Sequence, residues 1–196
     1  MFKNNSFIFT GRSGCGKTSL FRVFSGLWKS YTGNLYLNFD KFKASNIFFL
    51  PQTPYFTNGS LLQQIIYPTE LCELKNSNEI ILKSKEWIKK FNLDHLLDMV
   101  NDNLNSKPDF NWSSVLSLGE QQRISYFRVL FHHPKFALLD EFTSSVDQET
   151  ESLMYENLQE LGITYLSIAH RDTVRKYHCY ELKILNDGNY FLDQIS

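Results

Sequence analysis

No stretch of this 196-residue sequence is long and apolar enough to cross a bilayer, and its N-terminus does not carry the pattern of a cleaved signal peptide. If the protein works at a membrane, something else must hold it there. An excess of charge is also missing. Twenty Lys and Arg against 21 Asp and Glu leave a net charge of −1, which argues against a nucleic-acid or membrane-surface binder. Cysteine is scarce: Cys15, Cys72 and Cys179 are too widely spaced for a disulfide framework or a metal site, and they point to a reducing compartment. The histidines show no metal-ligand spacing, and there is no repeat or low-complexity tract. What is present, 42% hydrophobic and 15% aromatic residues, is ample for one packed domain.

The chemistry-bearing stretch is Gly11-Arg12-Ser13-Gly14-Cys15-Gly16-Lys17-Thr18. It fits the phosphate-binding loop: Gly, four residues, Gly-Lys, then Ser or Thr. Glycines let backbone N–H groups turn inward on an anion, and a following helix adds its positive end. Lys17 is placed to meet the β- and γ-phosphates, and Thr18 to offer Mg²⁺ a hydroxyl, with Ser19 next in the loop. Ser6 to Thr10 reads as a buried strand before the loop, and Ser19 to Phe24 as the start of a helix after it. Cys15 reads as a small residue tolerated in the loop rather than as a redox site.

Further along, Leu35 to Phe39 alternates as a half-exposed strand does. Ile47 to Leu50 is continuously apolar, the pattern of a strand buried on both faces, and polar Gln52 follows Pro51. Ser60 caps an expected helix over Leu61 to Ile66. A longer amphipathic helix begins at Asn78, with Ile80, Ile81, Trp87, Ile88 and Phe91 on one stripe, and a short one spans His95 to Val100. Ser117 and Glu120 have capping-box spacing, which starts a helix near Ser117 that runs to about Phe131. Phe136 to Leu139 is a buried strand leading into Asp140 and Glu141. Asp147 caps a helix over Gln148 to Leu161 that ends at Gly162. Ile163 to Ile168 is a strand leading to His170. A short helix over Thr173 to Tyr177 and a hairpin turning at Asn186 to Asn189 complete the chain. Strands alternating with helices predict an α/β domain with a mostly parallel sheet and a helical subdomain over about 60–132.

An Asp at the end of an apolar strand, downstream of a phosphate loop, is the expected Mg²⁺ partner, and Glu141 beside it is placed to act as a base on an attacking water. Together with Leu116-Ser117-Leu118-Gly119-Glu120-Gln121-Gln122-Arg123, these motifs resemble the nucleotide-binding domain of ABC transporters, a P-loop NTPase fold. Gln52 resembles the Q-loop of that family, Ser144 to Asp147 the D-loop, and His170 the switch histidine. The resemblance implies ATP and Mg²⁺ as ligands. It further implies pairing with a second such domain, so that Ser117, Gly119 and Glu120 of one copy face the nucleotide of the other. It gives Gln52 contact with the metal and the water, His170 with the γ-phosphate, and Asp147 with the opposite domain. Catalysis is thereby assigned to Glu141, His170 and Gln52, and the metal to Thr18, Gln52 and Asp140.

Phe49 to Leu61, Ile66-Tyr67-Pro68, Phe110-Asn111-Trp112 and His132 to Glu141 resemble subfamily D, half-transporters of fatty acyl-CoA or cobalamin. That resemblance implies the cytosolic face of an organelle membrane, peroxisomal or lysosomal. A transmembrane domain would then come from N-terminal sequence missing here or from another chain. Three features depart from the family: Leu118 stands at a usual glycine, Val146 at a usual leucine, and no counterpart of the adenine-stacking aromatic precedes Gly11. A nucleotide-binding module without productive turnover and a soluble non-transport ABC protein are the alternative readings.

Overall fold

The computed structural model describes residues 6–29, 32–36, 46–185 and 188–195. Its strands are β1 (Ser6–Thr10), β2 (Ile47–Leu50), β3 (Phe136–Asp140), β4 (Thr164–Ile168), β5 (Tyr180–Ile184) and β6 (Tyr190–Gln194). Its α-helices are α1 (Lys17–Phe24), α2 (Leu61–Ile66), α3 (Ser77–Lys90), α4 (His95–Met99), α5 (Trp112–Val115), α6 (Leu118–His132) and α7 (Gln148–Glu160), with 3₁₀ turns at Leu71–Glu73 and Asp172–Tyr177. Residues 37–39 of the strand expected near Leu35, and 186–187 of the hairpin turn, lie outside the described residues. The chain divides into two compact units, 1–52 with 133–196, and 53–132.

The first unit is one sheet in the order β2-β3-β4-β1-β5-β6, parallel except for the β5–β6 hairpin. On one face Phe9, Leu138 and Ile168 pack with Phe21 of α1, and the Phe9 and Phe21 rings meet edge to face at 5.1 Å. On the other lie the buried Met154, Tyr155 and Leu158 of α7, with the Tyr155 ring 5.8 Å from that of Tyr165 on β4. Parallel strands covered on both faces become continuously apolar, which is why β3 and β4 carry such runs. The expectation for Ile47 to Leu50 needs correction. This strand is at the sheet edge, so only Phe48 and Leu50 are buried, while Ile47 and Phe49 are half-exposed.

The register fixes what the strands deliver. Leu50 lies beside Leu139, and Asp140 beside Ile168, which also lies beside Phe9. The next residues at the carboxyl edge are therefore Gln52, Glu141, His170 and Gly11. In open parallel sheets that edge is where ligands bind.

The second unit is helical. α2 begins at a capping box in which Ser60 accepts from the Gln63 N–H and the Gln63 side chain accepts from the Ser60 N–H. Along α6, Ile124, Tyr126, Phe127 and Val129 are fully buried. Arg128 is buried with them and has carbonyls as acceptors, Gln64 O at 2.8 Å and Tyr55 O at 2.7 Å, with the Phe56 and Tyr67 rings over its guanidinium. Burial pushes it down to about 10, still charged at neutral pH. The Trp112 indole donates to Gly59 O at 2.9 Å. The short helix α5 carrying Trp112 is an element the sequence pattern did not predict, and the following helix begins one residue later than expected, at Leu118.

His178 is the most perturbed imidazole of the first unit. Its Nδ1–H donates to Val174 O at 2.8 Å, while Nε2 lies buried near the Tyr155 and Tyr165 rings with no protein partner among the described residues. A charged ring would need an acceptor there, so burial pushes its pKa down to about 4. The unfolded chain takes up that proton near 6.5, so between 6.5 and about 4 it binds more protons than the fold does. Stability from this site is complete above that window and falls by up to about 3 kcal/mol as pH drops through it. Thermal melts of the wild type should show this acid-side loss, and His178→Phe should flatten it; parallel curves would show that His178 does not titrate this way.

Candidate nucleotide site

The loop after β1 turns sharply. Gly11 has φ +139°, and a Cβ there would stand 2.5 Å from Ile184 O, so no larger residue fits. Gly16, at φ +99°, starts α1. Lys17 reaches back across the loop, its ammonium donating to Gly11 O at 2.8 Å and Arg12 O at 3.0 Å. A phosphate at the loop can exchange those carbonyls for charge-assisted partners. A cleft of about 250 Å³ is lined by Ser13, Gly14, Gly16, Lys17, Thr18, Ser19, Gln52, Glu141 and His170. Arg12 is exposed beside it, and the Cys15 sulfur is 3.9 Å from the Lys17 ammonium.

Two adjacent carboxyls serve different neighbours. Asp140 is buried and its Oδ1 accepts from the Thr18 hydroxyl at 3.3 Å. Burial pushes its pKa up, the Thr18 bond works against that, and Glu141 pushes it further up. A cation there would relieve the unfavourable burial. Both groups are hard oxygen donors suited to Mg²⁺, which needs few protein ligands when phosphate and water complete its shell. Among the described residues no cluster of three or more His, Cys, Asp or Glu offers a fuller metal cage. Glu141 has φ +47°, in the left-handed region. Its Oε2 accepts from Gln52 Nε2 at 2.8 Å, and its Oε1 lies 3.1 Å from His170 Nε2. Gln52, expected at the metal, is thus bonded to Glu141.

Ser117, Gly119 and Glu120 belong to the second unit. The Ser117 hydroxyl and amide both donate to Glu120 Oε2, at 2.7 and 2.8 Å, so the hydroxyl is turned onto its own helix. Glu120 also meets His95 at 2.8 Å, a partner that no local spacing signals. Burial raises the Glu120 carboxyl, but the Ser117 bonds and then the His95 and Arg123 charges outweigh that and hold it low. Asp147 caps α7, accepting from Thr150 N–H and Oγ1–H, which lower its pKa.

A phosphate loop, paired carboxyls, a glutamine and a histidine at one sheet edge suit a nucleoside triphosphate. The sequence also matches the ABC transporter family model over residues 2–144. The chain belongs to the ABC transporter family. It is an ATP-binding domain of that family and is similar to the lysosomal cobalamin transporter ABCD4 of Homo sapiens, 37% identical over 193 residues, covering 98% of this chain and 32% of that protein. It is similar also to ATP-binding cassette sub-family D member 1 of Drosophila melanogaster, 39% identical over 188 residues, 93% of this chain and 24% of the relative. An uncharacterized ABC transporter ATP-binding protein of Synechocystis is 38% identical over 194 residues, 98% of this chain and 27% of the relative. The chain thus spans about a third or less of these relatives.

Lys17→Ala should weaken ATP binding by ~10- to 100-fold, the worth of one charge-assisted bond. Titration with a fluorescent ATP analogue measures it, with circular dichroism confirming the fold; unchanged affinity would remove Lys17 from the site.

Proposed function

We propose that this chain binds Mg²⁺–ATP and hydrolyses it, driving transport by a larger membrane protein. The observation that carries the reading is Glu141, held between Gln52 and His170 above the phosphate loop. With Lys17 and the loop amides on the phosphates, a water between Glu141 and the γ-phosphorus stands where its proton can pass to the carboxylate. The new P–O bond forms as the bond to the β–γ bridging oxygen breaks, giving ADP and phosphate. The Gln52 amide and His170, with its Nε2 protonated, donate to Glu141 and aim it. Thr18 and Asp140 would hold Mg²⁺, which supplies charge neutralisation on the phosphates when bound.

The ATP site is completed by a second domain of this kind, through Ser117, Gly119 and Glu120 of the partner copy, with Asp147 at the join. The likeness to a lysosomal cobalamin transporter and the subfamily D resemblance favour cobalamin or fatty acyl-CoA as cargo, and an organelle membrane with this domain on its cytosolic face. Among the described residues no helix is long and apolar enough to cross a membrane, so membrane-spanning segments would lie elsewhere in the protein or on another chain.

Glu141→Gln keeps the size of the side chain and one acceptor oxygen but cannot take the proton. Its ATP affinity should stay near that of the wild type, while phosphate release falls by ~10²- to 10⁴-fold. Wild-type turnover in this variant would remove Glu141 as the base.

A further inference from the structure

Arg171 directly follows His170, and its guanidinium does not face the nucleotide cleft. Nη2–H donates to Ser144 O at 3.0 Å and Nη1–H to Val146 O at 3.0 Å, closing a fork over the loop after Glu141. Behind the fork lies Glu151, in the first turn of α7 and 1% exposed. Its Oε2 meets Arg171 Nη1 at 3.4 Å and accepts from the Thr143 hydroxyl at 2.9 Å, and its Oε1 accepts from Thr173 at 2.8 Å. A buried carboxylate persists only when cations and hydrogen bonds compensate it. Glu151 is therefore the fixed point on which four segments converge: the loop after β3, α7, the end of β4 and the 3₁₀ turn.

The convergence has one geometric result. Arg171 adjoins His170, and the Ser144 N–H donates to Glu141 O at 3.1 Å. The guanidinium thus ties together the two backbones that carry the Glu141–His170 contact. Beside the loop a cavity of about 200 Å³ is lined by Glu141, Thr143, Ser144, Glu151, His170 and Arg171.

We propose that Arg171, seated on Glu151, is a positioning residue for ATP hydrolysis: it clamps loop 142–147 to the strand end bearing His170 and so fixes His170 against Glu141. The role rests on the hydrolytic reading above. Lysine can serve only in part, because it keeps the charge beside Glu151 but one ammonium on a flexible stem does not present the planar fork that spans two carbonyls.

The test compares Arg171→Ala and Arg171→Lys with wild type in the intact chain, by ATPase kinetics, melting and amide hydrogen exchange. Loss of the clamp should lower kcat by ~10- to 100-fold in Arg171→Ala, as small misplacements of a catalytic group do. KM for ATP should hold near wild type, the melting temperature should fall in Arg171→Ala because the buried Glu151 loses its cation, and Arg171→Lys should recover part of both losses. Amides 144–147 should exchange faster in both variants, a readout that needs no turnover. Unchanged exchange overturns the clamp, as does a fall of kcat and ATP affinity together, which marks mere structural support. A wild type that binds ATP without hydrolysing it overturns the hydrolytic reading instead, and the positioning role with it.

Discussion

The pairing of β2 with β3, β3 with β4 and β4 with β1 is parallel throughout, and the site depends on that direction. Antiparallel pairing would send alternate strands out at opposite edges and scatter the groups that follow them. With parallel pairing, the residues after four strands emerge at one edge, level to within a residue or two. Gly11, Gln52, Glu141 and His170 are far apart in sequence, and the ladder alone assembles them. The apolar runs that build the strands are therefore also what build the cleft. Phe9, Leu138 and Ile168 beneath Phe21 hold the strand ends and α1 as one block, so the loop cannot drift from the carboxyls.

The polar groups above that edge are held by their own bonds, Lys17 and Asp140 being buried as well. Lys17 is folded onto loop carbonyls, Thr18 is joined to Asp140, and Glu141 is shared by Gln52 and His170. The Lys17 bonds are ones that a bound nucleotide could exchange for a stronger partner, while those to Glu141 can stay in place. Free Lys17 would cost its desolvation; Lys17 on carbonyls costs little and can still leave. The same economy governs the second unit, where Ser117 and Glu120 satisfy each other at the first turn of α6.

How much of this was legible beforehand follows from the range of each interaction. The phosphate loop, Ser60, Ser117 and Asp147 rely on neighbours within a few residues, so spacing alone exposes them. The strands before Gly11 and Asp140 announce themselves by apolar runs. β2 does so too, but an apolar run cannot say whether a strand is central or at the edge; its place at the end of the sheet order among the described residues decides that. Motif order singles out Gln52, but its bond to Glu141 spans 89 residues and no local signal encodes it. Arg171, Glu151 and His95 escaped for the same reason. Their meaning lies in backbone carbonyls and carboxylates brought up by tertiary structure, and α5 was hidden because four residues are too few to show a helical period.

Asp140 and Glu141 are consecutive yet serve different neighbours. Two consecutive residues of an extended strand point to opposite faces, and both would remain in the grip of the sheet. Here the strand stops at Asp140, and Glu141 takes φ +47°, a conformation a glutamate adopts only when its surroundings impose it. The Glu141 N–H still donates to Ile168 O at 2.9 Å, so the turn begins while the ladder holds. That break aims one carboxyl down at Thr18, where burial makes it want a cation, and the other across to Gln52 and His170, within the open cleft. Adjacent carboxyls of like chemistry thereby acquire different tasks. The left-handed turn between them, more than either residue alone, lets one edge of the sheet hold both a metal ligand and a base.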